Sequence, residues 1–250
     1  MKVFLQMIKR RVPATILVGA VYLITLMISI GMVNHNSMVN QYIEPYIFGS
    51  DLVDLLFPLL ATAPFSYLTY YFSSESLNNL ISIRTDSRGY KKKIIGSAIV
   101  MCFMMVFIVN FLAVIYSARI AKLNSYNHTD DYSLFILGTM QMNKPILFGF
   151  IWSLYKALVG CLMCILGQVL ALYSKNFFIT MLGPFFFVIF ENFITATFQL
   201  QRFSFTTAFI LNRLDPSVMS ITNIIIGISS FIIMTLIIYK ILREKYENKN

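Results

Sequence analysis

Six stretches of mostly apolar residues, at 12–33, 52–72, 94–116, 146–172, 177–197 and 218–241, alternate with short polar connections along the 250-residue chain. A helix crosses a hydrocarbon layer roughly 30 Å thick with about 20 such residues, because each adds about 1.5 Å. Lipid offers backbone N–H and C=O groups no water, so a spanning segment satisfies them internally as a helix. The runs are also unbroken, unlike the alternating pattern of a membrane barrel. The expected fold is all-α, a polytopic membrane protein with a single transmembrane domain covering 1–250 and six transmembrane helices.

Two further patterns refine this layout. Val3, Phe4, Met7 and Ile8 fall on one side of an N-terminal helix, with Lys2, Gln6, Lys9 and Arg10 on the other. This reads either as an interfacial helix in the headgroup plane or as a charged flank that fixes orientation. The apolar run from Phe177 to Leu214 would reach about 57 Å as one straight helix, nearly twice the hydrocarbon thickness, so it is expected to fold back. The fifth span should end near Phe198. Gln199–Leu214 should form short re-entrant turns around Gln201 and Arg202, and Asp215-Pro216 should start the last span as cap and first helical residue.

Composition agrees: hydrophobic residues make up 58% of the chain and charged residues 12%, too few to cover a soluble core. Cations resist translocation, and one set of connections holds Lys2, Lys9, Arg10, Arg11, Arg84, Arg88, Lys91, Lys92, Lys93, Lys175, Lys240, Arg243, Lys245 and Lys249. The other holds only Arg119, Lys122, Lys144, Arg202 and Arg213. Both termini are therefore expected in the cytoplasm. The net charge of +9 is explained by this topology and by anionic lipid headgroups, so the lipid bilayer, not nucleic acid, is the implied partner. The first span is too long for a signal peptide and lacks a small-residue cleavage site, so it should remain in the membrane. Asn127-His128-Thr129 matches a glycosylation acceptor, but the Ile-, Lys-, Asn- and Phe-rich composition resembles that of a low-GC bacterium. The expected location is the bacterial cytoplasmic membrane. Cys102, Cys161 and Cys164 all fall inside spans, where thiols behave as small hydrophobes, and no metal is expected at the Cys161/Cys164 spacing.

The most informative polar stretch is Ser73–Lys93. Ser73 or Ser74 can cap a helix with Glu75 in its first turn and Leu77, Leu80 and Ile81 on one ridge. Arg84, Arg88 and Lys91–Lys93 follow, and such a ridge either rests on the bilayer or fits a partner's groove. Here the chain resembles the membrane subunits of ABC transporters of the ABC-2 export class, whose first cytoplasmic loop carries an acid, a few small or apolar residues, a serine-arginine pair and a lysine before the third span. Glu75, Leu80 and Ile81, Ser87-Arg88 and Lys93 stand in that order. Asn78 and Asn79 occupy the place where a Gly commonly follows the acid, and no Pro precedes Ser87. The resemblance extends to the N-terminal helix, the six spans and the turns before the last one. It implies a permease that dimerises with a second copy or a paralogue and sits on two ABC ATP-binding subunits. Glu75, Leu77, Leu80, Ile81, Arg84 and Arg88 would form the cytoplasmic coupling helix and its anchor. It also implies export of a hydrophobic or amphipathic substrate, peptide or lipid-like, including antimicrobial peptides or self-immunity against them. The chain lacks a GxxxxGK[ST] phosphate cradle, so it is not expected to be an enzyme; no cofactor belongs to it, and ATP and Mg would be held by the partner subunit.

Two charges lie deep within spans, Lys156 in the fourth and Glu191 in the fifth. Each costs at least about 2.5–3.5 kcal/mol on insertion scales unless paired or wet. Their similar depth suggests that they meet, as a structural ion pair or as the lining of a substrate pathway. Asp54 and Asn110, near the outer ends of their spans, are expected to face water. Gly160, Cys164, Gly167 and Ala171 stack small side chains on one face of the fourth span for helix packing. Pro58, Pro64 and Pro184 should bend their helices. Rival functions are an intramembrane enzyme, a protease or lipid transferase, and a substrate-capture or sensor subunit without an ATPase. Only His35 and His128 are available as histidines, both in outer connections.

Overall fold

The computed structural model describes residues 2–36, 41–73, 87–122, 136–174, 176–214 and 219–247, excluding the side chains of 2–4, 36, 73, 87, 88, 246 and 247. Among these residues the elements are helical: α1 (Lys2–Asn36), α2 (Glu44–Ser73), α3 (Ser87–Ile120), α4 (Gly138–Asn143), α5 (Pro145–Tyr173), α6 (Phe177–Thr197), a 3-10 turn (Gln201–Phe203), α7 (Phe205–Phe209) and α8 (Ile221–Glu247). Six of them, α1, α2, α3, α5, α6 and α8, are long and apolar enough to cross a membrane. This is the pattern of a multi-pass membrane protein.

Side-chain ties fix an up-and-down topology. At one end Asn34, near the finish of α1, donates to the Ile120 carbonyl and accepts from the Lys122 N–H. At the same end the Tyr46 N–H, near the start of α2, donates to the Ser117 hydroxyl. At the other end Arg11 of α1 reaches the last turns of α2 and the first of α3. Tyr70 and Tyr71 of α2 meet Phe177 of α6 there, and Tyr173 of α5 meets Tyr239 of α8. The starts of α1, α3 and α6 and the finishes of α2, α5 and α8 thus share one end, called here the termini end. The described parts of the connections, 41–43, 198–214 and 219–220, lie at the opposite end.

Helices α2, α3 and α5 pack against one another at the centre. Helix α1 lies on α2 and α3, α6 on α2 and α5, and α8 reaches the bundle mainly through α7 and α5. The α5 span is 61% buried and α2 56%, against 17% for α6 and 22% for α1 and for α8, which separates central from peripheral helices. In lipid, apolar side chains gain little by leaving one hydrocarbon surface for another, so close approach and interhelical hydrogen bonds decide which face turns inward. The exposed faces accordingly carry Ile16, Leu17, Val21, Phe186, Phe190, Phe193, Ile233 and Leu236, while Asp54, Thr62, Ser66, Asn110, Ser153, Lys156 and Gln168 are buried.

The structure revises several boundaries. The N-terminal segment is not a separate helix: Lys2–Asn36 is continuous, and its 35 residues reach about 52 Å, well beyond a hydrocarbon layer. Arg11, expected on a solvated flank, is only 1% exposed. The prolines Pro13, Pro58, Pro64 and Pro184 all lie inside uninterrupted helices. Helix α6 ends at Thr197 with a reversal built on Gln199, whose φ of 57° is left-handed. The Leu200 N–H bonds the Thr195 carbonyl and the Gln199 N–H bonds the Ala196 carbonyl, the paired bonds of a Schellman stop. The last span is helical from Ile221, with Ser220 accepting from the Asn223 N–H; Asp215-Pro216, expected to start it, lie outside the described residues.

Candidate functional site

The central packing depends on one stripe of α5. Gly149, Ser153, Lys156, Gly160, Cys164, Gly167 and Ala171 recur at spacings of three and four, and all are buried. A Cβ on Gly149 would stand 2.2 Å from Val114 Cγ1 of α3, and one on Gly167 would stand 2.4 Å from Ser66 Oγ of α2. At Gly160 it would meet Val106 and Phe57 at 3.2 and 3.3 Å. Small residues thus let α5 sink into the seam between α2 and α3. Lys156, the one long residue of the stripe, is driven into that seam.

There its ammonium meets Asp54. Lys156 Nζ lies 2.9 Å from Asp54 Oδ1 and 2.6 Å from Oδ2, with both side chains fully buried. The ammonium also faces the Tyr46 ring at 5.2 Å. Tyr46 donates to Asn110 Oδ1 at 2.9 Å, and Asn110 Nδ2 donates to the Tyr22 hydroxyl at 3.2 Å and to the Val106 carbonyl at 2.9 Å. The centre therefore links α1, α2, α3 and α5 through polar groups whose partners are each other. Nearby, Asn212 donates to Asp51 Oδ2 at 3.0 Å.

Glu191 sits elsewhere. Its Oε2 accepts from the Ser204 hydroxyl at 2.9 Å and its Oε1 from the Phe205 N–H at 3.0 Å, holding the start of α7 to α6. Ser204 in turn accepts from the Thr206 N–H as the α7 cap. One turn further, Arg213 donates to Asn192 Oδ1. Half-burial lowers the Arg213 pKa from its ordinary value, and the nearby Glu191 carboxylate opposes that shift. The folded-back segment is further pinned by Tyr155, which donates to the Ala208 carbonyl at 2.6 Å, and by ring contacts of Phe209 with Phe57 and of Phe205 with Phe231.

At the termini end Arg11 replaces several separate ties. Nη1 donates to the Phe65 carbonyl at 2.7 Å, and Nη2 to the Thr69 hydroxyl at 3.1 Å and the Ile94 carbonyl at 3.3 Å. Thr69 donates onward to Gln168 of α5. One guanidinium fork thus joins α1, α2 and α3, with α5 one bond beyond.

No family model, curated protein or solved structure matches the chain.

Against the sequence expectations, Lys156 and Glu191 are not partners. Depth along a helix sets height but not rotation about the axis. Lys156 points from α5 toward α2, whereas Glu191 lies on the α6 face that meets Ser204. The true partner, Asp54, and its neighbour Asn110 were expected to face water, yet both are completely buried. A signal for Asp54 does exist: it and Lys156 both lie about a third of the way into their helices from the same end. Of the coupling residues, Glu75, Leu77, Leu80, Ile81 and Arg84 lie outside the described residues, as does the side chain of Arg88. Their flanks are placed: the chain leaves α2 at Ser73 and enters α3 at Ser87, both at the termini end. Cys102, Cys161 and Cys164 are buried free thiols, with Cys102 donating to the Ala61 carbonyl at 3.3 Å.

Proposed function

We propose that this chain is the transmembrane subunit of an ATP-driven exporter of the ABC-2 class, working with separate ATP-binding subunits and a second permease in a bacterial cytoplasmic membrane. The observation that carries the reading is the order Glu75, Leu80, Ile81, Ser87-Arg88, Lys93 running from the connection after α2 into the first turns of α3. In this reading the termini end is cytoplasmic, segment 74–86 is the coupling helix, and the folded-back segment 198–214 lies at the outer leaflet.

Arg11 supports a mechanical role for that connection. It ties the finish of α2 to the start of α3, so a push on the short link between them moves the two central helices together rather than prying them apart. The Lys156–Asp54 centre is closed and self-satisfied, which favours a structural role over a polar route through the middle of one chain. Substrate would then pass between this subunit and its partner permease. The lipid-facing, aromatic surfaces suit a hydrophobic or amphipathic cargo.

Affinity purification of the tagged chain from its native membrane tests this. An ATP-binding subunit should co-purify, and Leu80→Asp, or Glu75→Ala with Arg88→Ala, should release it while the chain's own membrane level holds. An ATPase retained by all these variants, or activity of the chain with no ATPase present, would overturn the assignment.

A further inference from the structure

At the end opposite the termini, α6, the folded-back segment and α8 do not close on one another. They leave a cavity of about 270 Å3 whose wall includes Phe187, Phe203, Phe231, Ile226 and Met234, with Glu191 at its inner side. The Glu191 oxygens are already engaged by Ser204 and the Phe205 N–H, so the wall offers an occupant mainly rings and aliphatic carbon. Ile226 and Met234 are 40% and 46% exposed, which puts the mouth on the lateral, lipid-facing side of two peripheral helices. The volume falls below the range of about 300–1,000 Å3 that usually encloses a drug-sized ligand. It suits a single slender chain.

The rim supplies the second half of a recognition site. Arg202 is exposed, with its guanidinium carbon 4.6 Å from the centre of the Phe203 ring that lines the cavity. It sits just past the end of α6, whose 21 residues reach about 31 Å, the thickness of a hydrocarbon layer. A guanidinium there matches a phosphate in charge and in its paired donors.

We propose that this cavity holds one acyl chain of an anionic phospholipid whose phosphate rests on Arg202. The site goes beyond the exporter reading and needs neither an ATPase nor a second permease. A zwitterionic lipid with the same chains should enter the groove more weakly, because its ammonium offsets the phosphate charge that Arg202 would meet.

The test is native mass spectrometry on the full-length purified chain, stripped of lipid and titrated with phosphatidylglycerol or with phosphatidylcholine of identical acyl chains. The wild type should retain one phosphatidylglycerol after the weaker adducts are removed. Ser230→Trp, which fills the groove from its wall, should lose that retained lipid. Arg202→Gln should weaken phosphatidylglycerol about tenfold, the loss of one charge-assisted contact, and leave phosphatidylcholine unchanged. A phosphatidylglycerol with a photoreactive group on its acyl chain should label the stretch 226–234 in both wild type and Arg202→Gln, which keeps the test decisive if the tryptophan variant does not fold. Equal retention in wild type and both variants, labelling spread evenly over the exposed faces of α1, α6 and α8, or an unchanged headgroup preference in Arg202→Gln would each overturn the proposal.

Discussion

Removing either member of the Lys156–Asp54 pair should destabilise the bundle far more than removing both. Lys156→Met strips the Asp54 carboxylate of both hydrogen bonds to the ammonium, in a seam closed to solvent. Asp54→Asn leaves an ammonium against an amide and the Tyr46 ring. An uncompensated buried charge of this kind costs about 3–5 kcal/mol, whereas replacing the whole pair by apolar residues of similar volume is often neutral or stabilising. On that scale each single variant should lower the thermal midpoint on the order of 10 °C, and Asp54→Asn with Lys156→Met, which removes both charges, should recover most of the loss. The buried thiols of Cys102, Cys161 and Cys164 provide the assay, because a fluorogenic thiol reagent lights up in mild detergent only as the bundle opens. The same cycle run with Glu191→Gln in place of Asp54→Asn should be additive with Lys156→Met, since the two sites share no partner. Additive losses for Lys156 with Asp54, together with coupling between Lys156 and Glu191, would refute the geometry.

Gly49→Ala should be the most damaging of the smallest substitutions in α2, because its Cβ would stand 2.8 Å from the Ile30 Cα, a backbone atom that cannot swing away. A loss of about 1–3 kcal/mol is expected in the same unfolding assay, while Gly31→Ala, with only the Tyr116 hydroxyl at 3.7 Å, should be tolerated. Glu191→Leu strands the Ser204 hydroxyl and the Phe205 N–H, so hydrogen exchange across Phe205–Phe209 should quicken by the equivalent of about 1–3 kcal/mol, with exchange in α3 unaffected. Arg11→Lys keeps the charge but cannot fork to acceptors on two helices. It should lower the thermal midpoint and speed exchange at the finish of α2, and an unchanged midpoint would show that charge alone suffices.

The six spanning helices were legible because lipid removes the ambiguity that besets soluble sequences: an apolar run of that length has few other uses. The reversal near Phe198 was legible for the same reason, from length alone, although the stop is made by Gln199 rather than by a glycine. The polar centre was harder to read. Asp54 and Asn110 look like rim residues when counted along their own helices, but the helices run well past the hydrocarbon thickness, so a residue near a predicted span's edge still sits in the packed interior. Arg11 misled in the same way. It reads as one of a run of flanking cations, yet the α1 helix begins nine residues earlier and carries it into the bundle.

The α5 stripe shows what a joint reading of two signals would have recovered. Its small residues and its lysine share one face, and a face that admits another backbone closely cannot leave a lysine's ammonium in solvent unless the chain can snorkel to an end. Lys156 is about a third of the way along α5, with the buried Ser153 and Gly149 between it and the near end and Gly160 toward the far one, both glycines pressed by a neighbouring helix. A partner acid on a contacting helix at that height is then required, and α2 offers Asp54. Glu191 is freed by the same logic: α6 packs on the outside of α2 and α5, and its carboxylate turns to the folded-back segment at Ser204 and Phe205. Burial of charge in this chain follows from where small residues let helices approach, and the lipid-facing phenylalanines of α6 mark where they do not.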